Sequence, residues 1–194
     1  MARKYLITLL SLFIFVSCSD IFSTRDPEEP YTDGDSYISE SVSGLLTNMK
    51  TSLLSLDKNF YESLLIDSLT TEYTYTFISN SQDISEQDIF NDWGIDNEKI
   101  FINNLKTSGS NFTDIDLSLN DSYNEAEDSL NIELDYSMNF TDSSSVTTQV
   151  IGSFTLKIIK VDGHFWYIKN WIDENFDLST GQKSFSKLKE PFVY

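Results

Sequence analysis

Few side chains in this sequence are suited to acid–base or nucleophilic chemistry. His164 is the only histidine among the 194 residues, and Cys18 is the only cysteine. Disulfides within the chain and cysteine-rich zinc sites are therefore excluded, and a histidine-based triad has a single candidate base. The sequence contains neither a glycine-rich phosphate loop nor a Gly-x-Ser-x-Gly nucleophile motif. We predict no catalytic residues, no metal site and no cofactor.

Three ionisable residues are the candidates for acid–base catalysis. His164 stands beside a predicted turn and Asp135 falls on the polar side of a predicted strand, so both are expected in solvent. Asp173 follows Trp171 near the end of the last predicted strand. Its carboxylate either points into a cavity or accepts hydrogen bonds from backbone N–H groups at the strand end, and we favour the second interpretation.

A series of aromatic residues suggests a second kind of chemistry, the binding of an apolar molecule or a sugar. The series either lines a pocket or packs in the core, and core packing explains it without a ligand. If a pocket exists, we predict that Asp173 lines it together with six aromatic residues: Tyr73, Tyr75, Phe77, Tyr136, Tyr167 and Trp171.

The first residues have the composition of a secretory signal. Arg3 and Lys4 precede an apolar stretch over residues 5–16, which is too short for a permanent transmembrane helix. Residues 15–18, Phe-Val-Ser-Cys, resemble the lipobox of bacterial lipoproteins, with Phe15 in place of the usual leucine. We predict a signal peptide at residues 1–17 and a lipidated Cys18. The alternative is ordinary signal cleavage that leaves a free thiol.

The chain is strongly acidic. Asp and Glu number 31 against 13 Lys and Arg, which gives a net charge of −18. Such a surface repels nucleic acid and anionic lipid headgroups, so the lipid on Cys18 is predicted to be its only contact with the membrane. Residues 18–38 carry two of the three prolines and are predicted to form a flexible acidic tether that begins at the lipidated cysteine.

The hydrophobic pattern predicts a folded domain over residues 39–194. Apolar spacings of three and four predict helices over 42–56, 60–65 and 96–109, the last capped by Asp96 or Asn97. Alternating residues predict strands over 72–78, 114–119 and 130–140, followed by two strands joined at Asp162-Gly163. Residues 79–94 are expected to form a loop docked by apolar side chains, and a short helix over 184–190 to pack Phe185 and Leu188 on the sheet.

The final hairpin is predicted to have a two-residue turn flanked by Val161 and His164. This register places Phe165, Tyr167 and Trp171 on the same face as Phe154. The opposite face then carries an apolar patch suited to a partner protein or a second copy of the chain, namely Trp166, Ile168 and Ile172. Gly152 within the preceding strand suggests a bulge or a bend.

The order of these elements is α+β and resembles the NTF2-like fold in its SnoaL-like form, a cone of curved antiparallel sheet wrapped around N-terminal helices. The residues that carry the resemblance are the stretch 56–61 after the first helix and the closing hairpin over 162–173. Cys18 and the tether residues 23–30, followed by this domain, also resemble a group of bacterial lipoproteins without assigned activity. That group supplies no catalytic residues.

The resemblance implies two alternative functions. The first, which we favour, is a lipid-anchored protein of the bacterial cell envelope, at the outer membrane, without enzymatic activity. Its domain would be a binding or assembly module for an envelope protein or a small apolar ligand, and a homodimer through the patch around Trp166 is a further possibility. The alternative is a SnoaL-type isomerase, dehydratase or hydrolase that acts on a small apolar molecule in the cone.

Overall fold

The computed structural model describes residues 37–174 and 179–193. Within these ranges the chain forms an α+β domain, as predicted. The predicted signal peptide, Cys18 and nearly all of the predicted tether lie outside the described residues. Of the helices in the described ranges, none has both the length and the apolar character needed to cross a membrane.

Three helices precede the long strands: α1 (Val42–Ser55), α2 (Lys58–Ser63) and α3 (Ile95–Thr107). The side chain of Ser41 caps α1 by accepting the backbone N–H of Gly44, and the carboxylate of Asp57 caps α2. The predicted cap of α3 at Asp96 or Asn97 is wrong as to position. Gly94 is the N-cap, and the side-chain oxygen of Asn97 accepts a hydrogen bond from the Gly94 N–H at 3.1 Å.

One curved, mixed sheet is built from β1 (Thr76–Ser79), β2 (Asn111–Leu119), β3 (Ser129–Thr141), β4 (Thr147–Val161) and β5 (Phe165–Glu174), in the order β1-β5-β4-β3-β2. The four long strands are antiparallel, as predicted. β1 instead runs parallel to β5 and begins later than predicted, because the preceding part of the β5 edge, at Ile168, pairs with Leu65. The short strand β6 (Gln182–Lys183) pairs with β4.

The core lies between the inner face of the sheet and the helices. α1 contributes Val42, Leu45, Met49 and Leu53, all fully buried. The segment before α3 is docked through the buried Phe90 and Trp93, with a 3-10 turn over Gln87–Phe90. The loop docking predicted for residues 79–94 is therefore confirmed.

The predicted register of the last hairpin is wrong by one residue. Val161 pairs with Phe165, so the turn is a three-residue loop over 162–164 with positive φ at Asp162 and Gly163. A slip of one residue exchanges the two faces of a strand. Trp166 and Ile168 consequently point into the core and are 1% and 0% exposed, so the predicted exposed patch does not exist.

An irregularity in β5 restores the predicted orientation further along the strand. The pairing with β4 shifts by one residue between Lys157 and Ile158. Trp171 and Asp173 thereby return to the inner face, where Trp171 lies edge-on to Phe154 with ring centroids 4.8 Å apart. The position predicted for Trp171 is right because the hairpin slip and this β-bulge compensate for each other.

Gly152 does not form a bulge, which was one of the two predicted alternatives. The pairing of β3 with β4 continues without a shift through the Tyr136–Gly152 pair. A Cβ atom at this position would overlap the Tyr136 hydroxyl and the Glu174 carbonyl oxygen, and would lie 2.7 Å from Cζ of Tyr136. Glycine is therefore required because a side chain and a neighbouring strand approach the backbone closely.

A C-terminal segment, residues 182–193, completes the core. It consists of β6, the helix α4 (Phe185–Lys189) and a 3-10 turn over Glu190–Phe192. The side chain of Ser184 caps α4 by accepting the N–H of Lys187 at 2.9 Å. Phe185 and Leu188 are buried, as predicted, and so is Lys189, whose burial the sequence analysis did not predict.

Candidate functional site

The predicted pocket residues divide into two groups. Five of them lie in the interior and are at most 3% exposed: Tyr75, Phe77, Tyr136, Trp171 and Asp173. Tyr73 is 37% exposed and stacks beneath the Lys169 ammonium, which lies 4.3 Å from its ring centroid. Tyr167 is half-buried on the outer face of β5, where it lines a surface groove of about 530 Å³ with Tyr37 and Ile66. The interior group defines the candidate site.

The first centre of this site is the buried carboxylate of Glu98, on the first turn of α3. Its Oε1 accepts hydrogen bonds from the Tyr75 hydroxyl at 2.8 Å, from Trp93 Nε1 at 2.9 Å and from Lys189 Nζ at 2.6 Å. Its Oε2 accepts from the Tyr61 hydroxyl at 2.9 Å. Four donors thus surround a carboxylate that has no contact with solvent, which compensates for its lost hydration.

The second feature is a cage of aromatic rings around the ammonium of Lys189. Nζ lies 3.7 Å from the ring centroid of Phe77 and between 4.9 and 5.4 Å from those of Phe185, Trp93, Phe101 and Trp171. Faces of aromatic rings attract cations, most strongly where water is excluded. Burial lowers the pKa of Lys189, and the neighbouring Glu98 opposes that effect.

The third feature is the buried carboxylate of Asp173 on β5. Its Oδ1 accepts from the Tyr136 hydroxyl at 2.7 Å. Its Oδ2 accepts from the backbone N–H of Ser186 at 2.6 Å, the Ser186 hydroxyl at 2.5 Å and the Ser81 hydroxyl at 3.0 Å. Burial raises the pKa of Asp173, and the hydrogen bonds from Ser186, Tyr136 and Ser81 oppose the rise. The favoured interpretation, a carboxylate held by backbone N–H groups, is right for one donor only, the Ser186 N–H; three hydroxyls supply the other hydrogen bonds.

The three buried tyrosine hydroxyls act as donors to these carboxylates. Burial raises the pKa of Tyr61 and Tyr75 well above the ordinary value, and the charge of Glu98 adds to the effect. Burial likewise raises the pKa of Tyr136, assisted by the charge of Asp173. These hydroxyls therefore stay protonated and can serve as hydrogen-bond donors throughout the neutral range.

The remaining candidates from the sequence lie away from the interior. His164 is exposed at the hairpin loop. Asp135 is half-buried on the outer face of β3, where it accepts a hydrogen bond from the Asn120 side chain at 3.1 Å. In the described ranges there is no group of three histidine, cysteine, aspartate or glutamate residues placed to hold a metal ion.

Neither residue of the interior ion pair, Glu98 or Lys189, is among the residues predicted from the sequence. Each occupies an apolar stripe of its helix: Glu98 is in line with Phe101, Ile102 and Leu105, and Lys189 follows Phe185 by four positions. A charged residue within an apolar stripe indicates that its side chain is buried and paired, and this signal was present in the sequence. Nothing in the sequence indicates that the two charges meet, because they are 91 positions apart.

Comparison with solved structures identifies the architecture. The crystal structure of a ketosteroid isomerase-like protein from Erwinia carotovora atroseptica matches 71% of this chain and 95% of its own, with a TM-score of 0.50 and 10% identity. A conserved protein from Planctomyces limnophilus matches 69% and 91%, with a TM-score of 0.52 and 9% identity. An NTF2-like protein of unknown function in nutrient uptake from Rhodospirillum rubrum matches 70% and 98%, with a TM-score of 0.48 and 11% identity.

The fold is NTF2-like. At such low identity the likeness extends to the fold alone, and it confirms the predicted fold class. No protein-family model matches the sequence, and no curated protein matches it significantly. The NTF2-like domain of this chain is filled by its own C-terminal segment, so that every ionisable group identified in its interior has a partner within the protein.

Proposed function

We propose that this chain is a lipid-anchored protein of the bacterial cell envelope whose NTF2-like domain acts as a binding module. One observation supports the proposed binding module. Glu98 and Asp173, the acids of the interior, each accept four hydrogen bonds from the protein itself. A carboxylate saturated in this way is suited to holding a charged or polar group in place and poorly suited to exchanging protons with a substrate.

The anchor rests on the sequence. Cys18 stands at the end of an apolar signal-like stretch, in the position where a lipobox requires its cysteine. More than one acyl chain holds a protein stably at a membrane, at about 0.8 kcal/mol for each buried CH₂. The net charge of −18 opposes direct binding to anionic lipids, which makes the lipid the proposed sole attachment at the outer membrane.

The alternative function is a SnoaL-type isomerase, dehydratase or hydrolase acting on a small apolar molecule. Such an enzyme needs a free ionisable group beside a hydrogen-bond donor. Tyr136 and Asp173 form a pair of this kind, but the backbone and hydroxyl of Ser186 occupy the carboxylate and Phe185 packs against the tyrosine ring. The binding module accounts for this filled interior, so we favour it.

Radiolabelled palmitate tests the anchor. In bacteria that express the full-length protein, we expect the wild type to carry the label and to fractionate with the outer membrane. Cys18→Ala should lose both properties, whereas Ser23→Ala, a change of similar size in the predicted tether, should keep both. An unlabelled wild type in the soluble fraction would disprove the anchor.

Native mass spectrometry of the protein extracted from membranes tests the binding module. We expect a small molecule or an envelope protein bound in near-stoichiometric amount. If the protein extracted from membranes is recovered without any bound small molecule or partner protein, the proposed binding role is wrong.

A further inference from the structure

The C-terminal segment 182–193 occupies the interior in the way that a ligand would. The strands β1 to β5 pair with one another without it, and only the two residues of β6 join it to the sheet. From α4 the Phe185 ring, the Lys189 ammonium and the Ser186 hydroxyl and N–H enter the interior. Further hydrogen bonds hold the segment at the rim: Ser184 donates to Asp83, Glu190 accepts from the N–H groups of Ser85 and Glu86, and the Phe192 carbonyl accepts from Asn104.

The surroundings of Lys189 have the properties of an ammonium-binding site. A carboxylate oxygen lies 2.6 Å from Nζ, and five aromatic rings have their centroids within 5.4 Å of it. Four of these rings belong to the body of the domain, namely Phe77, Trp93, Phe101 and Trp171. The combination of a buried carboxylate with aromatic faces is the arrangement that recognises organic cations.

A place for an aromatic ring adjoins the ammonium site. The ring of Phe185 stacks on that of Trp171 with centroids 5.4 Å apart and planes inclined by 6°. Its centroid is 4.9 Å from Lys189 Nζ. The indole N–H of Trp171 is fully buried and has no hydrogen-bond partner in the described structure. The segment therefore leaves this buried donor unused.

The charge of Glu98 determines what can replace the segment. A buried ion pair contributes little net stability, since the cost of removing both charges from water roughly equals their attraction. Withdrawal of Lys189 alone would leave Glu98 buried and unpaired, which is strongly unfavourable. The interior can therefore exchange its occupant only for another cation, and the packed rings around it require that cation to carry an apolar group.

We propose that the interior is a binding site for an arylalkylammonium ion, a primary amine joined by a short carbon chain to an aromatic ring, and that residues 182–193 occupy the site until such an ion displaces them. The ammonium replaces that of Lys189 on Glu98, and the ring replaces that of Phe185 on Trp171. A phenyl ring joined to an ammonium by two carbons spans a distance similar to that from Nζ to the Phe185 ring. The inference deepens the proposed binding function and rests on it.

The test uses 2-phenylethylammonium chloride as the probe and the full-length protein. In the wild type, the probe should increase backbone hydrogen exchange over residues 182–193 and leave exchange in β3 and β4 unchanged. The double variant Phe185→Ala/Lys189→Ala removes the competing ring and ammonium while keeping the rest of the segment. It should bind the probe at least about tenfold more tightly than the wild type, as measured by calorimetry.

Two controls identify the groups that bind the probe. Adding Glu98→Gln to the double variant should weaken binding at least about tenfold, because the ammonium loses its carboxylate. The neutral 2-phenylethanol has the same ring without the charge and should bind the double variant at least about tenfold more weakly than the probe does. If the double variant does not fold, the exchange measurement on the wild type decides by itself.

Unchanged exchange over residues 182–193 at saturating probe would overturn the inference, whether the probe binds elsewhere or does not bind. Equal affinity of the probe for the wild type and for a folded double variant would also overturn it. These results do not depend on the anchor or on the partner. If the protein binds a different ligand or an envelope partner but does not bind the probe, the proposed function stands and the inference is wrong.

Discussion

Tyr136 donates its hydroxyl to Asp173 at 2.7 Å, and the same oxygen accepts the backbone N–H of Phe185 at 2.9 Å. One hydroxyl thus connects β3 with β5 and with the start of α4. It lies directly against Gly152, where no side chain could be accommodated. These contacts couple the position of the C-terminal segment to the hydrogen bonding of the buried Asp173 carboxylate.

Replacement of this hydroxyl should destabilise the protein strongly. In Tyr136→Phe the buried carboxylate of Asp173 loses a donor and the Phe185 N–H loses its acceptor, so we expect a loss of about 2–3 kcal/mol in the free energy of unfolding. Urea denaturation measures it. Tyr167→Phe makes the same change at a half-buried position on the outer face and should cost less than about 0.5 kcal/mol. Equal losses in the two variants would contradict the role assigned to Tyr136.

The interior ion pair should behave differently from an exposed pair of the same length. Glu98–Lys189 and Glu62–Lys99 both have N–O distances of 2.6 Å, but the side chains of the first pair are at most 1% exposed and those of the second are 29% exposed. Glu98→Gln leaves a buried ammonium unpaired and should cost about 3–5 kcal/mol. Glu62→Gln should cost less than about 1 kcal/mol.

A double-mutant cycle completes this comparison. Lys189→Met alone leaves Glu98 unpaired and should be as harmful as Glu98→Gln alone. The double variant Glu98→Gln/Lys189→Met contains neither charge, so it should recover most of the lost stability. Additive losses in the double variant, measured by chemical denaturation, would show that the two side chains act independently.

Gly152→Ala should be the most damaging change of a single small residue in the sheet. The added methyl group would meet the Tyr136 ring and the Glu174 carbonyl oxygen, and neither can move without breaking sheet pairing. We expect a loss of about 3 kcal/mol or more, measured by thermal or chemical denaturation. Ser153→Ala, on the opposite face of the same strand, serves as the control and should change stability by less than about 0.5 kcal/mol.

The buried tyrosines predict a loss of stability in alkali. Since the pKa values of Tyr61, Tyr75 and Tyr136 are raised in the folded protein, the native state keeps three protons that the unfolded chain releases. Stability should therefore fall as the pH rises above about 10, the ordinary pKa of tyrosine, by about 1.4 kcal/mol per pH unit for each group.

Denaturation curves measured from about pH 8 to about pH 11, a range that spans the ordinary pKa of tyrosine, give the slope of the free energy of unfolding against pH. Tyr61→Phe should make the slope shallower by the contribution of one group, because it removes one of the tyrosines whose pKa burial raises. Burial lowers the pKa of Lys189, so that residue adds stability as the pH rises toward its ordinary value and does not account for the fall. A slope that Tyr61→Phe leaves unaltered would disprove this assignment.

The sequence is sufficient to predict the class of the fold because local patterns determine most of it. Six alternating apolar residues from Leu130 to Phe140 define β3, and spacings of three and four define α1. The orientation of β5 was not predictable from alternation alone. A three-residue loop and a β-bulge each shift the register by one residue, and neither leaves a signal in the hydrophobic pattern.

The candidate site was predicted less completely than the fold. Phe77, Tyr136, Trp171 and Asp173 were identifiable because they lie on the inner face of strands that the pattern reveals. The apolar stripes of their helices mark Glu98 and Lys189 as unusual charges, but only the tertiary structure shows that they pair. Contacts of this kind depend on where a distant segment docks, and no local propensity encodes that.

The pairing of Glu98 with Lys189 also has a consequence for biosynthesis. While the polypeptide emerges from the ribosome, the glutamate is made 91 residues before its partner, roughly 5–20 s earlier at ordinary elongation rates. During that interval a nascent chain cannot close its centre without trapping a bare negative charge. Because the two charges lie 91 positions apart, the centre of the domain can close with its ion pair formed only after translation has passed residue 189.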